Sequence, residues 1–466
     1  MPTKFLAYKA LLLALCPQFL YAVPANSVVA TINVGVTPSG LAITPDNNFA
    51  YVANNNNYGL PNADNVSVLN LTNNLPDLLI SSTTFNEPYT ITINAAGTLA
   101  YVTNSNYTTV SIIDIPSNTV SGIITGFDGP SGLAITPDGT YAYVNNYGGP
   151  EGVGSGNGKT VNVVDLTNNT IVKTITVDQA PAALAVSPDG DYVYVINYVN
   201  GTPGSGTMNV IQTSDNTVTG TVYGFFGPFD IAITPDGNYA YVTNFGSNNF
   251  FPFGTTVNAV DLTSNTITAT ITLGIQPAGI AITPDGNYAY VTNYNTLYTS
   301  TYFSSLVAGQ GTVNVIDIAT NTVIPPTIVV DQSPANIAIS PNGEFAYVSN
   351  YTSNTINVIA LPTFEIAAQG CQIQNRYLTQ MDVINKITWT VSGTSLPVSY
   401  DVYRDAALTD LAGTVLIDAL SLDDDEPFVL LDHNRNPDIT YTYYIVGTNS
   451  VGTTSEPVAI TVTQNC

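Results

Sequence analysis

The chain has 466 residues, with 33 acidic side chains against 8 basic ones and a formal net charge of −25. Charge that negative repels phosphate backbones and anionic headgroups, which argues against nucleic acid as a partner. Only 9% of residues are charged and 44% are hydrophobic, with 36 Gly, 29 Pro and 29 Tyr; that mixture suits short strands joined by tight turns and argues against long helices and disorder.

Residues 1–22 read as a signal peptide. Lys4 and Lys9 form its positive start, Ala10 to Leu15 its apolar core, and Leu20-Tyr21-Ala22 ends on a small residue. Cleavage is expected after Ala22, with Ala25 as a second option. Cys16 follows Leu15, where a lipoprotein signal needs a small residue. No later apolar run approaches the ~20 residues of a membrane span. The mature chain is expected to be secreted, periplasmic or held at the cell surface.

From Pro38 one unit recurs seven times. PSGLAITPDNNFAYVAN (38–54) is followed by PYTITINAAGTLAYVTN (88–104), PSGLAITPDGTYAYVNN (130–146), PAALAVSPDGDYVYVIN (181–197), PFDIAITPDGNYAYVTN (228–244), PAGIAITPDGNYAYVTN (277–293) and PANIAISPNGEFAYVSN (334–350). Each unit predicts four strands: a Leu/Ile-Ala-Ile run, a Pro-Asp-Gly turn into an Ala-Tyr-Val run, a variable loop, a Thr-Val-Asn-Val run, and a Thr/Ile run. Pro presets φ, Asp caps the turn and Gly accepts φ > 0. Four strands in nearly fifty residues make a propeller blade, because one such unit cannot bury both of its faces alone. The ends complement each other. Val28–Gly35 is a fourth strand without a blade, and the seventh unit stops at its third strand, Thr355–Leu361. The fold expected for 23–363 is therefore an all-β, seven-bladed β-propeller closed by the N-terminal strand.

The repeated Ala-Tyr-Val-Thr-Asn segments, as at Tyr241–Asn244 and Tyr290–Asn293, resemble the YVTN family of β-propeller repeat proteins over residues 28–362. That resemblance implies an exported or surface protein, more distantly similar to lactonase-type enzymes. Residues 364–466 read differently. TYTYYIVGTNSVGTTSEPVAITV resembles the last two strands of a fibronectin type III domain, with Trp389 in the place of its core tryptophan. Cys371 and Cys466 bracket this β-sandwich and are expected to form a disulfide in an oxidising compartment. Asp423-Asp424-Asp425-Glu426 falls in a loop of that domain; a run of acids alone does not make the calcium cage of six to eight oxygens.

Catalytic residues are scarce. His433, the one histidine, lies outside the propeller, and the propeller contains no cysteine, no arginine and two lysines, Lys159 and Lys173. No catalytic residue, metal ligand or cofactor is expected, and lactonase-like or lyase-like sites built from His, Arg or metal have no counterpart. Asp230, after Pro228-Phe229, is expected near the channel mouth; Glu87, Asp128, Asp178 and Asp331 precede the equivalent prolines. Loop insertions fall on one face, between second and third strands. In five copies the residue after the repeated Asn is aromatic: Tyr147, Tyr198, Phe245, Tyr294 and Tyr351. Phe251 and Tyr302 add rings from the insertions. Such rings bind a sugar face or a protein partner, or else they pack between blades. The expectation is an exported, non-enzymatic binding protein for a protein or glycan. The alternatives are a carboxylate-dependent hydrolase or lyase at the channel mouth, and a structural surface-layer component.

Overall fold

In the computed structural model the described residues are 26–56, 60, 63–148, 157–199, 203–247, 253–298, 306–362, 364–376, 381–393, 399–404, 408–416, 428–432, 441–448 and 458–464. The signal peptide, Phe251, Tyr302, His433, Asp423–Glu426 and Cys466 all lie outside them.

Seven four-stranded antiparallel sheets follow one another as blades 1 to 6, over 38–81, 88–125, 130–176, 181–225, 228–272 and 277–330, and blade 7 over 334–360. The fourth strand of blade 7 is the N-terminal Ser27–Asn33, paired antiparallel with Thr355–Ala360 so that Thr31 faces Asn357. The first strands touch in sequence around the ring, and Pro38–Ile43 contacts both Pro88–Ile93 and Pro334–Ile339. The ring is closed, and its seven first strands line the central channel. Ile32 of the closing strand packs with Leu41, Val52, Tyr347 and Ile356, so the seam buries side chains from the two ends of the propeller.

Each residue of the Tyr-Val-Thr-Asn signature has its own task. In four of the seven copies the tyrosine crosses to the next blade and donates to an Asn in the turn before the fourth strand, as Tyr143 to Asn216 (2.6 Å) and Tyr241 to Asn321 (2.7 Å). Those asparagines have φ of 58° and 54°, the left-handed region that Asn tolerates better than most residues. Tyr290 makes the same bond to Asn26, φ 55°, at the head of the closing strand. The break between the two ends of the propeller thus falls at that turn. The valine is core. The hydroxyl of the third residue reaches the next blade's first strand, as Thr103 to the Ser131 carbonyl (3.0 Å) and Ser349 to Ser39 (2.6 Å). The asparagine starts a ladder inside its own blade. Asn244 donates to Asn258 and Asn258 to Thr270; in blade 7 the ladder runs Asn350, Asn357, Thr31 and so ends on the N-terminal strand. The ladder satisfies the side-chain N–H groups, while the Oδ1 atoms of Asn54, Asn197, Asn293 and Asn350 are buried without a hydrogen-bond partner.

On one face the Thr/Ser-Pro-Asp-Gly turns repeat with little change. Thr136 donates to Asp138, which also caps the Thr140 amide. Gly139 sits at φ 72°, the left-handed region that favours glycine, and blade 1 fills the same position with Asn47 at φ 60°. The opposite face carries every loop between second and third strands. The one in blade 6 adds a short hairpin, Thr296–Tyr298 with Leu306–Ala308.

The C-terminal strands pair in the order 411–416, 399–403, 441–448, 458–464, 364–376, 381–393, 428–432. The only parallel contact among the described residues, Cys371 with Thr463 and Gln372 with Gln464, joins two antiparallel groups. Ile387 of one group packs against Tyr400, Val402, Tyr443 and Ile445 of the other, which makes two layers around one core.

Candidate functional site

The channel mouth opens on the loop-bearing face. Its rim is built from one repeated device. The residue before each first-strand proline (Thr37, Glu87, Gly129, Ala180, Gly227, Gln276, Ser333) has φ between 49° and 58°. Its carbonyl accepts the backbone N–H of the residue after the repeated asparagine in all seven blades, from Asn55 to Tyr351. The device fixes where the side chains after both the proline and the asparagine stand, so variation at those positions changes the mouth without changing the frame.

Seven side chains follow the prolines: Ser39, Tyr89, Ser131, Ala182, Phe229, Ala278 and Ala335. Two are large. Tyr89, on blade 2, has as its electrostatic neighbours Tyr147 of blade 3, Asp230 of blade 5, Tyr294 of blade 6 and Tyr351 of blade 7. A phenol near four other blades has to stand in the channel. Burial first, and then these neighbours, push its pKa up. Phe229 stacks on Phe245 with centroids 5.2 Å apart, Phe245 meets Tyr294 edge-on at 5.9 Å, and Tyr294 is tilted against Tyr351 at 6.5 Å. One wall of the mouth, across blades 5 to 7, is a continuous row of rings.

The five aromatics singled out from the sequence therefore divide. Tyr198 is 5% exposed and donates its hydroxyl to the Gly246 carbonyl at 2.9 Å, bridging blades 4 and 5. Phe245 is 7% exposed, inside the row. Tyr147, Tyr294 and Tyr351 are half-buried at the mouth. Tyr89 escaped the sequence reading because its copy, PYTITINAAGTLAYVTN, is the one that departs most from the others. Comparing the position after the proline across the seven copies would have found both Tyr89 and Phe229.

Asp230 follows Phe229, one residue deeper. Its carboxylate accepts the Ile231 amide at 2.9 Å and the Ile280 amide of blade 6 at 3.0 Å, so it bridges two inner strands. Burial raises its pKa to about 6, and the two amide bonds only partly oppose that. The other blades carry Gly40, Thr90, Gly132, Ala183, Gly279 and Asn336 at this level. Asp230 is the ring's single carboxylate. A Cβ on Gly40 would lie 2.5 Å from the Tyr89 carbonyl, so this level is tight where it is not polar.

The other acids near the rim mostly hold loops. Asp178 accepts from Thr207 at 2.7 Å and Asn209 at 3.2 Å, and Asp331 accepts from Thr355 at 2.6 Å. Asp64 accepts the Glu87 amide at 2.9 Å, while burial and then the Asp64 charge raise the Glu87 pKa. Among the described residues no group of three or more His, Cys, Asp or Glu is placed to hold a metal. No helix among them is long and apolar enough to cross a membrane.

Ring closure by the first chain segment, a channel lined by seven equivalent strands and a mouth varied by loops define a seven-bladed propeller protein. The chain belongs to the lactonase, seven-bladed β-propeller family, whose model matches residues 119–376. Among curated proteins of Mycobacterium tuberculosis, the PE-PGRS family protein PE_PGRS18 is 47% identical over 58 residues, 12% of each chain. The seven-bladed β-propeller protein Rv1057 is 31% identical over 161 residues, 34% of this chain and 37% of that one. The matches thus span well under half the length of these relatives. Among solved structures, the hydrazine synthase of Kuenenia stuttgartiensis shares the fold, with a TM-score of 0.58 at 20% identity over 70% of this chain and 96% of that one.

Proposed function

We propose that the chain is an exported binding protein that takes a protein or glycan partner at the channel mouth. One observation carries the reading: the sevenfold pattern breaks there, where Tyr89, Phe229 and Asp230 replace small residues beside Tyr147, Tyr294 and Tyr351. Half-buried rings on a rigid frame supply contact area at little entropic cost. The propeller sequence also lacks histidine, cysteine and arginine, which leaves acid–base or nucleophilic chemistry few groups to use. Phe251 and Tyr302 belong to the insertions between second and third strands and are proposed to extend the contact. The C-terminal segment is proposed as a fibronectin type III-like spacer. Its strand order supports this, with 364–376, 381–393 and 428–432 as strands A, B and E, and 411–416, 399–403, 441–448 and 458–464 as C′, C, F and G. Pairing of Cys371 with Thr463 brings the backbone there near the chain end, in favour of a Cys371–Cys466 disulfide.

A second reading has one observation in its favour. Asp230, with a pKa of about 6 in a channel of a lactonase-family fold, suits a general base for lactone opening. A glycan and surface-protein array, run beside a lactone-hydrolysis assay, separates the two. The binding reading expects array hits that are lost on Tyr294→Leu, and no turnover. Lactone turnover abolished by Asp230→Asn would replace it with the enzymatic one.

A further inference from the structure

We infer that the channel mouth is an aromatic cage for an alkylammonium group, with Asp230 as its counter-charge. This rests on the binding reading and names the chemistry of what is bound.

Three independent observations lead there. The first is the charge of Asp230. Both carboxylate oxygens are fixed by backbone amides, which are dipoles and not cations. The one ion pair among the described residues, Arg404 with Asp410, is in the C-terminal segment. The propeller's two lysines are both exposed, Lys159 in a loop and Lys173 on the outer strand of blade 3. An ionised carboxylate in such a place lacks a compensating charge, and a bound cation supplies it. The second is the surrounding π surface. Tyr89, Tyr147, Tyr294 and Tyr351 gather around one region of the channel with Asp230. Tyr294 and Tyr351 touch, whereas Tyr89 makes no ring–ring contact among the described residues. The π faces of tyrosine rings beside a carboxylate attract a cation. The third is the long-range field: with 33 acidic residues against 8 basic, cations concentrate at this surface and anions are turned away.

A neutral sugar face satisfies only the second of these observations. An ammonium group satisfies all three, whether it belongs to a lysine side chain or to a quaternary headgroup such as choline.

The test is calorimetric titration of the full chain with choline, with its uncharged carbon analogue 3,3-dimethylbutan-1-ol, and with Nα-acetyl-lysine amide. One site per chain is expected, with at least one of the two cations binding roughly tenfold or more tightly than the neutral analogue. Asp230→Asn should remove that preference and leave the neutral compound's affinity unchanged. Tyr89→Leu should weaken the cation, and Tyr89→Phe should retain it because the ring face remains. Melting curves of each variant confirm that the fold persists. Choline favoured over the lysine amide identifies a quaternary headgroup, and the reverse order a lysine. Equal binding of charged and uncharged probes, no binding of any probe, or an Asp230→Asn variant that keeps the preference, overturns the inference. Array partners that still depend on the mouth in that case leave the binding reading standing. A mouth on which no partner depends defeats the reading itself.

Discussion

The two faces of the propeller are made of the same repeat and treat their acids in opposite ways. On the turn face, Asp46, Asp138 and Asp189 each accept a hydroxyl from the preceding Thr or Ser, plus backbone amides, and these bonds hold their carboxyls below the usual range. At the channel mouth, burial outweighs two amide bonds and lifts Asp230 to about 6. The turn acids do one job in five of the seven blades. Asp230 occurs once, at a level where three blades carry glycine. A repeat protein marks its frame by what recurs and its site by what does not. The recurring acid is stabilised by its charge, whereas the solitary one is held at a cost.

The largest expected effect breaks the frame at its seam. Ile32→Ala should destabilise the propeller by about 2–5 kcal/mol, since it opens a cavity where the two ends of the propeller meet. Urea unfolding measures it. A loss no greater than that of a surface substitution would mean that the N-terminal strand is not the closing element.

Asp230→Asn comes next, and its effect depends on pH. A folded pKa raised above the unfolded value gives a contribution that is fully present below about pH 4 and lost as pH rises through about 6. The titratable group in electrostatic reach of Asp230, the phenol of Tyr89, has its pKa raised and stays neutral throughout this window. The variant should therefore gain on the parent as pH rises from 4 to 8, by up to about 3 kcal/mol for two pKa units. Melting temperatures across that range check it; a constant difference contradicts the raised pKa.

Thr103→Val removes a blade-to-blade bond while nearly preserving shape. It leaves the Ser131 carbonyl and the Thr90 amide without that hydroxyl, for an expected loss of about 1–3 kcal/mol by urea unfolding. The smallest effect is expected at Asp138→Asn on the turn face, within roughly 0.5 kcal/mol. Its sign is opposite to that of Asp230. The loss should be present at neutral pH and vanish as pH falls through the lowered pKa of Asp138.

The blade number and the closing strand were legible because an orphan fourth strand and a missing one balanced in the sequence. What the tyrosine and threonine of the signature do was not legible. Their partners, such as Asn216 for Tyr143 and Ser131 for Thr103, lie in the following blade, beyond any local pattern. The candidate site was half legible. Asp230 stood out, and Tyr147, Tyr294 and Tyr351 are at the mouth as their spacing indicated. Spacing did not distinguish them from Tyr198 and Phe245, because the same backbone position points a ring to the mouth in one blade and beneath a neighbour in another. The neighbour decides: Gly246 offers a carbonyl to Tyr198, and Phe229 offers a face to Phe245. Tyr89 was hidden for a different reason, being a large residue at a position that five other blades fill with Ser or Ala.

The central claim is that binding resides where the sevenfold pattern breaks. Its most direct test is one glycan and surface-protein array probed with three proteins: the parent chain, a Tyr89→Leu/Tyr294→Leu variant of the mouth, and an Asp138→Asn/Asp236→Asn variant of the turn face. The account predicts parent signals that the turn-face variant keeps and the mouth variant loses. Signals that survive in the mouth variant, or that disappear with the turn face, would contradict it.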